Sequence, residues 1–472
     1  MFGQTGKKRG NNEAAELTSD LMPRLDRLPW SRWHVKIVFA LGFAWLLDAL
    51  EANIIGSVLG ILKNSWHFSS LQGSLTVSVW LVGIMVGAVV FGYLSDRFGR
   101  RPMFILTLLW YSLFTIACAF SQDIRVFIFL RFMAAIGIGG EYSAIASAVV
   151  EFIPKRARGK MDAFVMSLWP VGAMLSALFV VVALKFLPPE TAWRAGFLLA
   201  VILAIFAVII RRYLPESPRW LLDRQRIDEA RAVVEAAERE VMRSTGLKEL
   251  PAAEPIVMHV GMYTLSHHTK ELFGRYPWRL ALGSSLNFSQ VALGYGSVAY
   301  ASLVLFPATG TPPEAVPYYM MLAFFFAMCG GLTAMYMVDT VGRKITVVAA
   351  YASYPLSALS MIFVETTLSA VISLCIMQYC YTWGWITEYV IKSEIFPTRA
   401  RAAGIGWATF FGRIGGVVAA PLLTWTYQST RSITAVAYAL AALMMPGLLA
   451  AMAWSLWGVE GKRRSLEELT KD

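Results

Sequence analysis

The sequence predicts an all-α polytopic membrane protein: twelve transmembrane helices in two parallel six-helix bundles. Three observations predict it. Of the 472 residues, 57% are hydrophobic and only 15% are charged, against about 25% charged in an average soluble domain. Apolar runs of about 18–25 residues, each long enough to cross a bilayer, recur along the whole length. Two motifs also occur twice at one offset. "DRFGRR" begins at Asp96 and "DTVGRK" at Asp339, while "EFIPKRARG" begins at Glu151 and "EIFPTRARA" at Glu394. Both 339 − 96 and 394 − 151 equal 243, which marks a duplicated six-helix unit related by an axis along the membrane normal.

Taken in order, residues 1–33 form a polar N-terminal tail that lacks the apolar core of a signal peptide. The first bundle, 34–213, holds spans at 34–62, 71–95, 102–120, 123–150, 160–184 and 193–213. A polar linker follows at 214–277, and its stretch "DEARAVVEAAEREVMR" reads as a solvated amphipathic helix. The second bundle, 278–457, holds spans at 278–306, 317–339, 345–364, 367–391, 402–428 and 433–457, before a tail at 458–472.

Orientation follows from the basic residues. The loops after spans 2, 4, 8 and 10 carry Arg97, Arg100 and Arg101; Lys155, Arg156, Arg158 and Lys160; Arg343 and Lys344; and Arg399 and Arg401. Those after spans 7 and 9 carry none. The first set is therefore expected in the cytoplasm, with both termini and the linker.

This distribution also accounts for the net charge of +11. The basic residues lie in alternate loops and form no single face, so nucleic acid is not an expected partner. Cys118, Cys329, Cys375 and Cys380 sit inside apolar runs without a CxxC pair, so no disulfide framework, metal or cofactor is expected. No nucleophile–base pair or phosphate-binding glycine loop is present, which argues against an enzyme and against direct ATP coupling.

The repeat separates shared scaffold from features particular to one half. Asp48 maps to Val291, Glu51 to Gly294, and Glu141 to Gly384; Glu388 maps back to Ile145 and Arg413 to Pro170. Five charges inside spans therefore have no charged counterpart. Each costs about 2.5–3.5 kcal/mol at mid-membrane, so each is expected to face a polar cavity or another charge. An acid exposed in turn to the two sides of a membrane can carry a proton down the potential, worth about 2.3 kcal/mol per 100 mV. Asp48, Glu51 and Glu141 are the candidates for proton coupling. Asp48 and Glu51 are three residues apart and share a helix face, with Trp45 one turn earlier. The alternative for these acids is a structural hydrogen bond or a pairing with Arg131.

Arg413 is a permanent positive charge whose fork suits a carboxylate; the alternative is a structural partner for Glu388 or another acid. In span 10, Gln378, Tyr381, Trp385 and Glu388 recur on one helix face. In span 7, Asn287 and Gln290 share a face near Tyr295, and Trp169 lies in span 5. An aromatic stripe can equally be core or lipid-facing. Its alternation with polar groups in span 10 suits a small, flat, polar ligand.

"GYLSDRFGRRP" after span 2, its degenerate copy after span 8, and "PESPRWLL" after span 6 resemble the major facilitator superfamily. "RFMAAIGIGGEY" in span 4, which includes Tyr142, narrows the resemblance to its sugar-porter and organic-ion branches. "DALE", "GGEY" and "EIFPTRARAAG" are most similar to bacterial niacin and aromatic-acid transporters, relatives of the animal organic-ion transporters and synaptic vesicle glycoproteins. The resemblance implies a cytoplasmic gate in which Asp96, Arg97 and Arg100, with Asp339 and Arg343, tie helix ends together near Glu151 and Glu394. It also implies that a basic residue at the Arg413 position marks an anion carrier, and it supports Asp48 as the coupling acid.

The expectation is a monomeric, alternating-access transporter of the inner membrane. It would move a small organic anion, such as an aromatic carboxylate, with protons. The alternatives are a proton-linked sugar transporter, an organic-cation carrier using Asp48, Glu51 and Glu388, and a ligand-binding protein on the same fold that does not transport.

Overall fold

A computed structural model describes residues 15–210, 215–260, 265–396 and 401–458. Its long helices follow the expected order: α1 (Arg32–Trp66), α2 (Ser70–Phe98), α3 (Arg100–Cys118), α4 (Ile124–Phe152) and α5 (Lys155–Phe186). α6 runs in two pieces, Pro189–Leu198 and Ala200–Ile210. The second half comprises α7 (Pro277–Tyr300), α8 (Val316–Thr340), α9 (Arg343–Leu359), α10 (Thr367–Ile395), α11 (Arg401–Thr430) and α12 (Ile433–Trp457). Ten described helices are long and apolar enough to cross a membrane. α4 and α10 carry buried charges but reach 29 residues each, about 43 Å at 1.5 Å per residue.

Local chemistry sets the boundaries. α2 starts in a capping box: the Ser69 hydroxyl accepts from the Gln72 amide at 3.2 Å, and the Ser69 amide donates back to Gln72 Oε1 at 2.9 Å. Gly99 and Gly342, one repeat apart, turn α2 into α3 and α8 into α9 at φ values of 106° and 116°, where a side chain would be strained. Several expected boundaries move, three of them at readable signals. The sixth span begins at Pro189, because proline is well suited to the first helical turn, and it breaks at Leu199. α5 begins at Lys155, directly after Pro154. α9 ends at Leu359 and tightens into a 3₁₀ turn through Phe363.

The repeat persists in the packing. A methyl group on Gly87 in α2 would collide with the Ile136 carbonyl of α4, and one on Gly330 in α8 with the Tyr379 carbonyl of α10. Both residues of the second pair lie 243 positions after those of the first. Gly172 likewise lets α5 approach the Leu46 carbonyl of α1, and its counterpart Gly415 lets α11 approach the Phe288 carbonyl of α7. Small residues at such crossings let backbones meet closely where lipid provides no hydrophobic drive for helix association.

The linker departs from expectation. Its helix Ile227–Thr245 is amphipathic but not solvated all round: Ala230, Val234, Ala237 and Val241 form a small core with Leu21, Leu25, Leu28, Trp220, Leu221 and Leu222. Glu238 accepts from Arg24 Nε at 3.0 Å and from Arg27 Nη2 at 2.7 Å. Strand β1 (Ala15–Ser19) pairs antiparallel with β2 (Ile256–Val260). The N-terminal segment and the linker thus make one module. It rests on the bundle through Lys36–Glu240 at 3.1 Å and through Glu216, which accepts from the Arg100 and Arg101 amides at the start of α3. The bundle face it covers is called the linker end below.

Candidate functional site

In the first half, α1 passes through the core with Asp48 and Glu51 both buried. Their three-residue spacing puts them on one face, yet they meet different partners. Glu51 forms an ion pair with Arg131 of α4 and accepts from the Thr115 hydroxyl at 3.2 Å, so the pairing open to either acid falls to Glu51. Asp48 instead faces Glu141 of α4 within hydrogen-bonding reach. The four oxygens of Asp48 and Glu141 are buried and receive no hydrogen bond from any described donor. Tyr111 of α3 lies beside all three acids. Its repeat counterpart is Tyr354, whose hydroxyl occupies the place that a side chain at Gly384, the counterpart of Glu141, would need. The ring of Tyr381 likewise fills the place of a side chain at Gly294, the counterpart of Glu51. At two of the three acid positions of the first half, the second half is filled by a tyrosine.

In the second half, Glu388 of α10 is fully buried and pairs with Lys392 at 2.8 Å, so its ion-pair partner is Lys392 and not Arg413. Asn287 of α7 donates to Glu388 at 3.1 Å and to Gln290 at 3.2 Å. Gly412 packs against Asn287, which brings the neighbouring Arg413 into this layer; Arg413 is itself 8% exposed. Tyr295 stands near both Arg413 and Arg131 and lies 5.5 Å from Trp80, over which Arg131 stacks at 5.4 Å. Gln378 is turned to Ser297, donating at 2.9 Å.

Aromatic rings join the halves. Trp45 of α1 meets Trp169 of α5 at 4.9 Å, Trp169 meets Trp385 of α10 at 6.1 Å, and Trp385 stacks with Tyr381 at 6.3 Å. Four residues expected at the ligand from three separate spans are thus contiguous. Away from the linker end, the halves are tied by polar contacts. α7 there passes through a π-helical turn, Ala301–Leu305, of the kind often found at functional sites. The Ser302 hydroxyl donates to the Gly56 carbonyl, and the Leu303 carbonyl accepts from Lys63 at 3.4 Å and Ser70 at 3.3 Å.

The side chains of Tyr142, Asp96, Glu151, Asp339 and Glu394 lie outside the described residues. Arg97 is exposed, and Arg100 and Arg343 lie beside the two repeated glycine turns. Sequence reasoning missed Lys392, although "EYVIK" places it four residues after Glu388, the spacing of an ion pair along a helix. It also gave no role to Glu216 of "PESPRWLL" or to Tyr111.

The profile of the sugar (and other) transporter family matches residues 24–472. The chain belongs to that family. A niacin transporter of Acinetobacter baylyi is 29% identical over 406 residues, covering 86% of this chain and 90% of its own. A putative niacin/nicotinamide transporter of Bacillus subtilis is 27% identical over 434 residues, covering 92% and 98%. Among solved structures, a proton:xylose symporter of the major facilitator superfamily, bound to 6-bromo-6-deoxy-D-glucose, superposes with a TM-score of 0.71 at 18% identity, covering 93% of this chain and 98% of its own. The protein is therefore a multi-span membrane transporter of the major facilitator fold.

Proposed function

We propose that the protein is a proton symporter for a small aromatic carboxylate, such as nicotinate, working by alternating access in a bacterial inner membrane with its linker end in the cytoplasm. The observation that carries this reading is the separation of charge between the halves. In the first half, Arg131 balances Glu51, and Asp48 and Glu141 add further acid. In the second half, Lys392 pairs with Glu388, and Arg413 is the further basic residue. The aromatic chain from Trp45 to Tyr381 lies with these two centres.

A proton held between Asp48 and Glu141 supplies the donor that these carboxyl groups otherwise lack, and its release removes that link between α1 and α4. Arg413 binds the ligand carboxylate in bidentate fashion while the rings of Trp169, Trp385 and Tyr381 take its flat face. Asp96, Arg97, Arg100, Glu151, Asp339, Arg343 and Glu394 form the cytoplasmic gate. The polar closure at Ser302 and Leu303 is the opposite, periplasmic gate. The niacin transporters among the relatives support the ligand class.

Arg413→Ala is expected to abolish carboxylate uptake into proteoliposomes while leaving the amount of reconstituted protein unchanged. Undiminished uptake would remove the anion assignment. A second reading, a proton-linked sugar transporter, is favoured by the xylose symporter's likeness in fold. It fits less well with two of the amides a sugar would use, because Gln378 is engaged by Ser297 and Asn287 by Glu388.

A further inference from the structure

We propose that Lys392 sets the charge selectivity of the site by neutralising Glu388, a role that rests on the anion reading above. Lys392 is 5% exposed and Glu388 is fully buried. The lysine is held at both ends, to Glu388 at 2.8 Å along its own helix and to the Thr409 hydroxyl of α11 at 3.3 Å. Asn287 clamps the other side of Glu388, and Gly412, next to Arg413, packs on that same Asn287. The Glu388 carboxyl therefore stands one amide side chain behind the backbone that presents Arg413.

Scaffolding does not explain the pair. Glu388 and Lys392 map back to Ile145 and Val149, both apolar, and replacing a buried ion pair by apolar residues is often neutral for stability. Its consequence for charge is plain. Glu388, Lys392 and Arg413 sum to +1, and without Lys392 they sum to zero. An anion at Arg413 would then face an uncompensated carboxylate, and discrimination between partners depends on such repulsive elements as well as on attraction. Lys392 is thus a positioning residue that acts on the ligand's charge through Glu388.

The test uses three ligands of one shape on purified full-length protein: nicotinate, nicotinamide and the N-methylnicotinamide cation. Lys392→Met should shift the nicotinate-over-cation preference by about tenfold or more toward the cation, since like-charge juxtaposition costs several kcal/mol, with little change for nicotinamide. Glu388→Gln/Lys392→Met, which restores the +1 sum, should recover the anion preference. The reversed pair Glu388→Lys/Lys392→Glu should keep it too, and both double variants serve if Lys392→Met alone fails to fold. An unchanged preference in Lys392→Met overturns the proposal, as does a folded neutral double variant that still favours the cation. A wild-type protein that prefers the cation would contradict the anion reading instead, and the shift caused by Lys392→Met would still be measured against it.

Discussion

Asp48 and Glu51 are three residues apart on one helix, yet they end in opposite situations. Glu51 is locked to Arg131, and Asp48 faces another acid. Removing one partner of a buried ion pair leaves an uncompensated charge. Arg131→Met is therefore expected to lower stability by about 3–5 kcal/mol, read as an earlier thermal transition in detergent, and Glu51→Gln/Arg131→Met to recover most of it. The repeat made these positions legible, because a charge without a counterpart in the other half cannot belong to shared scaffold. It could not pair them. Which acid meets Arg131 depends on how α1 and α4 are rotated about their axes, and no periodicity within one helix records that. Lys392 escaped notice for a different reason: it sits near the end of its span, where a lysine is ordinarily read as topology.

At the scale of elements, the 243-residue offset found in loop motifs returns in helix crossings that no motif advertised. Gly87 and Gly330 do the same work in the two halves, so Gly87→Ala and Gly330→Ala should each destabilise by about 1–3 kcal/mol through overpacking. Gly92 lies on the same helix as Gly87, but a methyl group added there would meet nothing within 4 Å. It is the control whose replacement by alanine leaves the thermal transition in place. The linker was only half legible. Its amphipathic pattern was plain, but its apolar face is covered in part by the nearby Trp220, Leu221 and Leu222 and in part by the N-terminal segment, far earlier in the chain, a contact between two stretches too short to signal each other. Burial alone would raise the pKa of Glu238, but the hydrogen bonds from Arg24 and Arg27 outweigh it and hold the carboxyl below its usual 4.5. Its contribution is thus present above pH 4.5 and is lost as pH falls through the lowered value. Glu238→Gln should lower the amide protection factors over residues 21–28 at neutral pH, and acidification should lower them in the wild-type protein, relative to intrinsic exchange at the same pH, while leaving those of the variant little changed.

For the whole molecule, the class and the order of the long helices were readable because bilayer thickness imposes its length on every helix, and the duplication because two loop motifs recur at one offset of 243. The uneven distribution of charge between the halves was readable as well, but its pairing was not, since Glu51–Arg131 and the neighbouring Asp48 and Glu141 meet only once the helices are assembled. On the proposed reading, Asp48 and Glu141 take the proton and Arg413 takes the organic anion. Uptake of nicotinate into proteoliposomes under an imposed inward proton gradient, by wild-type protein and by Asp48→Asn, tests this most directly. The wild type should accumulate nicotinate uphill and lose that accumulation when the gradient is collapsed, whereas Asp48→Asn should only exchange it at equal pH. Uphill accumulation by Asp48→Asn equal to that of the wild type would contradict the account.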